Sequence, residues 1–260
     1  MDVLVTGGAH GIGRSTAKKL EEEGHSVTVV DIDEEGLEEV PRGIETFVLD
    51  VRREDDVEKF LSEREFDVVV NNAGFQKQGA LEDMDSESFE RHFETNVFGA
   101  ANIIRHSMDF LKDNDGRIVN VGSVAGFLPL PFMSGYCSSK YALRGLTQSL
   151  RVELRGFDVD VVLVEPGEVS TGFNEEGVRG INDYLEDSDF EDVYRRKLDQ
   201  IEDMGGISPD KAGNTVLKAV TDVNPDRVYR VPFSSSFYAF LESISPECLK
   251  EFLVGRREGL

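Results

Sequence analysis

The sequence predicts an α/β fold: a parallel, doubly wound sheet flanked by helices, with a lid inserted before the C-terminal helix. Three observations predict it. Short apolar runs alternate with helix-period segments from residue 3 onward, the pattern of repeated strand–helix–strand crossovers. A glycine-rich turn joins the first strand to the first helix. Asp and Asn stand where the strands stop, at Asp31, Asp50 and Asn71, and sheets of this kind bind ligands beyond the carboxyl ends of their strands.

The first strand, Val3 to Thr6, runs into Thr6-Gly7-Gly8-Ala9-His10-Gly11-Ile12-Gly13, and a helical pattern follows from Arg14 to Glu23 with Gly24 as its stop. A glycine turn here lets the backbone approach a pyrophosphate, while the helix start offers unpaired N–H groups and a positive dipole end. A second strand, Ser26 to Val30, closes on Asp31. That strand–turn–helix–strand context makes the glycines a dinucleotide site. Asp31 is placed to accept the adenosine ribose hydroxyls. Together with Asp33, Glu34 and Glu35 it would repel a 2′-phosphate, so NAD is the expected cofactor and NADP is disfavoured. His10 is the one nearby group that, when protonated, could face a phosphate.

The third strand, Ile44 to Leu49, ends in Asp50-Val51, and a short helix covers Asp55 to Glu63. A fourth, Asp67 to Val70, enters Asn71-Asn72-Ala73-Gly74, a turn suited both to shaping the backbone and to meeting a cofactor. A long helix from about Ser86 to Lys112, a strand Arg117 to Val121, a helix Gly135 to Arg155 and a strand Asp160 to Val164 continue the series. All the candidate residues therefore converge on one edge of the sheet.

Ser123 to Lys140 reads SVAGFLPLPFMSGYCSSK and supplies a hydroxyl, a phenol and an amine. Tyr136 and Lys140 are four residues apart, so on a helix they leave the same face. An ammonium beside a phenol favours the phenolate and lowers its pKa from about 10, which makes Tyr136 a candidate acid/base. Ser123, ahead of a Gly- and Pro-containing loop, can reach a substrate oxygen.

Residues 168–207 carry 12 acidic residues against 4 basic ones and read as a mobile lid with a solvated outer face, helical near Glu191 to Met204. Ser208-Pro209-Asp210 starts a helix that runs through Val220. Arg227 to Val231 is the last strand. Residues 232–260 form an apolar C-terminal segment, with Phe237, Tyr238, Phe240, Leu241, Ile244, Leu249, Phe252 and Leu253. It is read as packing on the body of the protein, with completion of the pocket and contact with a partner subunit as the other readings. The expectation is one domain over residues 1–260.

Charge excludes some functions. Acidic residues number 51 against 28 basic, a formal charge of −23, and nucleic-acid binding needs the opposite footprint. The acids are dispersed, not gathered in a tail, which points to a solvated acidic surface and a salty cytoplasm. No run of eighteen apolar residues occurs, and a strand at the very start leaves no room for a signal segment. The expected location is cytoplasmic, with no membrane insertion. Two Cys and 4 His without ligand spacing predict no metal.

In this order the motifs resemble the short-chain dehydrogenase/reductase family, in its branch with a non-extended chain, over residues 1 to about 230. The matching features are TGGAHGIG at Thr6 to Gly13, Asp31, NNAG at Asn71 to Gly74, Ser123 with Tyr136 and Lys140, and Pro166-Gly167 followed by Thr171. Asn96, in HFETNVFGA, resembles the family's fourth catalytic residue. The resemblance implies a Rossmann-type fold. It also implies that Tyr136 exchanges the proton, Lys140 lowers its pKa and holds the nicotinamide ribose, Ser123 orients the carbonyl or hydroxyl, and Asn96 anchors a water in the proton relay. Pro166, Gly167, Val169 and Thr171 would clasp the nicotinamide side of the cofactor. Asp50, Val51, Asn72, Ala73 and Gly74 would line its remainder. A homo-oligomer, tetramer or dimer, is likewise implied, built on the two long helices. Glu168 departs from the pattern, and it either lines the pocket or turns outward.

Phe75, Phe127, Leu128, Leu130, Phe132, Met133 and Phe173 flank the catalytic segments. They predict an apolar pocket and a small-molecule alcohol or ketone of steroid-like, retinoid-like or other lipophilic kind. The competing reading, a nucleotide-binding regulator that kept only the fold, is disfavoured because Asn96, Ser123, Tyr136 and Lys140 are all present.

Overall fold

Val3, Leu4 and Val5 have no exposed surface, because the strand that carries them lies inside a sheet covered on both faces. The structure, a computed structural model, describes residues 1–186, 188–200, 205–232 and 235. Seven strands form one sheet: β1 (Asp2–Thr6), β2 (Ser26–Asp31), β3 (Glu45–Val48), β4 (Val68–Asn71), β5 (Arg117–Val121), β6 (Asp160–Pro166) and β7 (Val228–Val231). Their spatial order is β3-β2-β1-β4-β5-β6-β7, and every pairing is parallel. The chain winds outward from β1 to β3, then returns to β4 and winds the other way. The reversal leaves a crevice between the carboxyl ends of β1 and β4, where such sheets bind nucleotides.

Nine helices connect the described strands: α1 (Gly11–Glu22), α2 (Glu34–Glu38), α3 (Glu54–Leu61), α4 (Ser86–Phe93), α5 (Ala100–Asp113), α6 (Ser134–Glu153), α7 (Gly172–Arg179), α8 (Glu191–Asp199) and α9 (Pro209–Thr221). One face of the sheet, with Val5, Val29, Val70, Val119 and Val164, packs with Ala17 and Leu20 of α1 and Val216 of α9. The other, with Leu4, Val30, Val69, Ile118 and Val161, packs with Val57 and Phe60 of α3, Ile103 and Leu111 of α5 and Leu150 of α6. Burial on both faces is why the strands read as continuous apolar runs instead of alternating ones.

Helix starts follow local chemistry. Asp85 accepts the Ser88 amide at 2.6 Å to cap α4, and Ser208 accepts the Lys211 amide at 3.2 Å ahead of Pro209 on α9. The helix expected from Ser86 to Lys112 is interrupted. A wide π turn, Glu94–Gly99, separates α4 from α5, and such turns gather at functional sites. Two contacts account for it. Asn96 turns inward to bind the backbone of Phe75, and Gly99 lies so close to Val51 that a Cβ there would stand 2.5 Å from Val51 Cγ2.

The leucines of α6 belong to the core. Leu143 and Leu150, and Leu154 just past the end of the helix, are buried, and Leu146 packs beside them. The lid contains more helix than its composition suggests: α7, a 3-10 turn at Gly180–Tyr184, and α8. Val178, Ile181, Tyr194 and Phe132 give it a small core of its own. Short α2, also unforeseen, is capped by Asp33. Of the C-terminal segment 232–260, only Pro232 and Ser235 are among the described residues, and the apolar side chains from Phe237 onward lie outside them.

Candidate active site

Two turns at the reversal are tied into one unit. Thr6 Oγ1 accepts the amides of Asn72 and Ala73 at 3.1 and 3.0 Å, and Asn72 Nδ2 donates to the carbonyls of Thr6 and Gly7 at 3.0 and 2.8 Å. Both side chains are therefore occupied inside the protein, where they shape the cradle. Gly7, at φ +65°, presses on Ala73 so closely that a Cβ would meet its Cα at 2.6 Å; at Gly13 a Cβ would meet the Gly7 carbonyl at 2.1 Å. No side chain caps α1, since His10 points elsewhere. The first amides of the helix are left for an anion, which fits a pyrophosphate. Gly11 sits opposite Thr171, whose Cγ2 would be 3.3 Å from an added Cβ, so the loop after β6 closes over the cradle.

At the adenosine end Asp31 holds the turn as well as facing it: Oδ2 accepts the Ala9 amide at 3.0 Å and Oδ1 the Asp33 amide at 3.1 Å. A hollow of about 400 Å³ opens beside it, lined by Ile32, Val48, Leu49, Asp50, Arg53 and Asp56. Ile32 and Val48 are more than half exposed there and offer apolar faces for a planar base. The sequence carried no sign of these two. Asp50 pairs with Arg52 through bonds of 2.6 to 3.1 Å, which hold its carboxyl below the usual range. Val51 is buried, and its carbonyl accepts Asn102 Nδ2 at 3.0 Å.

At the nicotinamide end Gly167 donates to Val231 O at 2.7 Å, anchoring the Pro166–Gly167 turn to β7. Val169 bridges to Ile207 and ties the start of the lid to its end. Glu168 is exposed.

Ser123, Tyr136 and Lys140 do come together. Ser123 caps the 3-10 turn Val124–Gly126 by accepting the Ala125 amide at 3.1 Å. Tyr136 is buried against Ala125, Leu130, Met133 and Phe173. Lys140 Nζ lies 5.7 Å from the Tyr136 ring centre and donates to Val121 O at 3.0 Å. The electrostatics differ from the sequence expectation that the ammonium would lower the phenol pKa. Burial pushes Tyr136 up, hydrogen bonding by Ser123 opposes it, and burial pushes Lys140 down to about 8. Desolvation dominates because both groups sit in the interior. A neutral phenol, ready to give a proton, is the resting form.

The Asn96 side chain is bonded within the protein. Its Oδ1 accepts the Phe75 amide at 2.7 Å, and its Nδ2 donates to Phe75 O at 3.0 Å and Ser139 Oγ at 2.9 Å. His92, one turn earlier and fully buried, joins it. Its Nε2 accepts the Lys77 amide at 3.1 Å while Nδ1 donates to Ser88 O at 2.7 Å, and burial keeps the ring's pKa low. Together they hold the Phe75–Lys77 segment in place. The only sequence signal for His92 was its four-residue spacing from Asn96.

The apolar residues expected in the pocket divide. Leu130, Met133 and Phe173 surround Tyr136. Phe132 instead packs on Phe190 and Tyr194 of the lid, and Phe127 is buried beneath the Ser123 loop. Packing claims those two.

A doubly wound sheet with an uncapped glycine turn and a Ser, Tyr and Lys set at its carboxyl edge defines a nucleotide-dependent oxidoreductase framework. Residues 2–181 match the family described as short chain dehydrogenase, and the chain belongs to the short-chain dehydrogenase/reductase family. It is 31% identical over 260 residues to a 3-ketodihydrosphingosine reductase of Bacteroides thetaiotaomicron, covering 96% of this chain and 95% of that one. With the 17-beta-hydroxysteroid dehydrogenase type 1 of Homo sapiens it shares 32% over 210 residues, 74% of this chain and 64% of the other. Three further related oxidoreductases are longer, and the chain spans 44% of their length. A solved short-chain dehydrogenase from Streptomyces avermitilis superposes with a TM-score of 0.79 at 25% identity, covering 98% of this chain and 97% of that one. No helix among the described residues is long and apolar enough to cross a membrane.

Proposed function

We propose that the chain transfers hydride between a nicotinamide dinucleotide, NAD in preference to NADP, and a carbonyl or secondary alcohol on a lipophilic substrate. The observation that carries the reading is the convergence of Ser123, Tyr136 and Lys140, with Tyr136 packed among Leu130, Met133 and Phe173. The nicotinamide ring, when bound, supplies or accepts the hydride. The protein's part is to bind, orient and exchange the proton. Ser123 donates to the substrate oxygen, and Tyr136, neutral at rest, gives its phenolic proton to that oxygen in the reducing direction and takes it back in the oxidising one. Lys140 is the proton's next station, with a pKa of about 8 that lets it be refilled from water near neutral pH. It also holds the nicotinamide ribose. Thr6 to Gly13 and Thr171 hold the pyrophosphate, Asp31 and the hollow at Ile32 and Val48 hold the adenosine, and Pro166, Gly167 and Val169 hold the nicotinamide. The names of the two relatives reported above, a sphingoid ketone reductase and a steroid dehydrogenase, support an apolar ketone or alcohol.

The test is a panel of lipophilic ketones and alcohols assayed with NAD(H) and NADP(H), with Tyr136→Phe alongside. Turnover of the variant should fall by about two to four orders of magnitude with cofactor binding unchanged. Full turnover by the variant would overturn the proton assignment.

A further inference from the structure

Glu165 stands one residue before the Pro166–Gly167 turn, at the end of an otherwise apolar strand, and is 1% exposed. A carboxylate there is costly unless well paired. Its in-register neighbour on β7 is Arg230, whose Nε lies 2.8 Å from Oε2, and Arg144 Nε on α6 lies 3.6 Å from Oε1. Arg151, a third cation, acts from further along α6 while donating to Val161 O at 2.7 Å. Among the described residues neither carboxylate oxygen has an aligned hydrogen bond. Charge, not bond geometry, holds this group.

The cluster is linked to the Ser, Tyr and Lys set through α6 and the Ser123 loop. Tyr136, Lys140 and Arg144 follow one another at four-residue intervals on α6 and so share a face. Arg144 also reaches toward Gly126 O at 3.5 Å, in the turn capped by Ser123, and Gly126 packs so tightly that a Cβ would stand 3.0 Å from Lys140 O. Phe127, next in the chain, has the guanidinium groups of Arg144 and Arg230 at 5.3 and 5.6 Å from its ring centre. On the far side of Glu165, the Gly167 amide is fixed to Val231.

We propose that Glu165 is a positioning residue for the reaction: by holding Arg144 and Arg230 together it sets where Ser123, Tyr136 and Lys140 stand relative to the Pro166–Gly167 turn. Without its charge the two guanidinium groups repel, and the repulsion is delivered to the Ser123 loop through Phe127 and Gly126 and to α6 through Arg144. The inference rests on the redox reading above and extends it.

The experiment uses the whole chain and the best substrate from the panel, with Glu165→Gln, Glu165→Asp, Arg144→Met and the Glu165→Gln/Arg144→Met double variant. NAD binding is followed by titration and folding by melting, both independent of turnover. Glu165→Gln should retain NAD affinity yet lose kcat about ten- to a hundred-fold, the cost of a small misplacement. Arg144→Met should likewise lose kcat with NAD affinity kept, Glu165→Asp should restore part of kcat, and the double variant should lose less than the product of the singles. Wild-type kcat in folded Glu165→Gln overturns the proposal, as does a lowered melting temperature with kcat unchanged. If Glu165→Gln does not fold, Arg144→Met decides on the same readouts, kcat against NAD affinity. Absence of redox turnover by the wild type would instead sink the functional reading itself.

Discussion

His10 and Asp33 meet at 2.6 Å, imidazole Nε2 to carboxylate Oδ2, across the outer rim of the adenosine end. The same carboxylate caps α2, and the imidazole holds it below the usual carboxyl range. Arg14 is likewise answered by Glu39 at 2.7 Å. The two basic side chains nearest the glycine turn thus face acids already, and neither is free to meet a 2′-phosphate.

Asp33→Ser should therefore raise kcat/KM for NADP relative to NAD, because the acid that His10 faces is gone and the negative charge at the rim is reduced. Adding Asp31→Ala should relax the choice further by removing repulsion. Titration of the wild type with both nucleotides is the control, and tighter NADP binding there would reject the reading of this rim.

Lys140 carries the next expectation. Its pKa falls from 10.5 to about 8 in the fold because the interior disfavours the ammonium. Between those values the unfolded chain holds more protons, so this group makes stability rise with pH across that window and weighs on the fold fully below it. Lys140→Met should abolish turnover yet stabilise the protein by roughly 1–3 kcal/mol at pH 7, with the gain shrinking from pH 8 to 10.5. Urea melts at pH 7, 9 and 10 decide. A destabilised variant at pH 7 would show that the bond to Val121 O outweighs desolvation.

Much of this was legible in the residues. Parallel strands announce themselves as apolar runs, and a glycine turn between strand and helix has few other uses, so the order of elements and the cluster at the carboxyl edge could be read directly. What escaped depends on three-dimensional neighbours. The π turn at Asn96 arises from a bond to Phe75, 21 residues away, and a periodic pattern cannot show where a helix widens. Burial reversed the expected effect on Tyr136 because spacing reveals that Lys140 is near but not that water is excluded. Phe127 and Phe132 looked like pocket residues until their packing partners were known.

Salt should strengthen the fold. With 51 acids against 28 bases, many carboxylates face only one another, and screening relieves that repulsion. The Debye length drops from about 30 Å at 0.01 M to about 3 Å at 1 M. An adaptation to a salty cytoplasm demands more: the melting temperature should keep climbing beyond about 1 M KCl, where screening is nearly complete. Melts that level off at a few tenths molar would leave the charge as a matter of solubility.

Association with further copies is expected from the family, as a dimer or tetramer. Tyr141 and Val152 on α6 and Phe98 at the π turn are 45%, 59% and 57% exposed, apolar surface that a two-fold contact would cover. Sedimentation in strong salt should show a species above the 28.9 kDa of one chain. A monomer alone would reject it.

The pair of hydrogen bonds that Thr6 Oγ1 accepts from the amides of Asn72 and Ala73 has a consequence for how this protein can change. It welds the floor under the pyrophosphate to the wall beside the nicotinamide, and Thr6→Val would strand two amides at once. Neither turn can be redesigned alone. A new nucleotide preference has to arise at the outer rim, among Asp31, Ile32 and Asp33, and a new substrate preference in the lid, while the joint between them stays as it is.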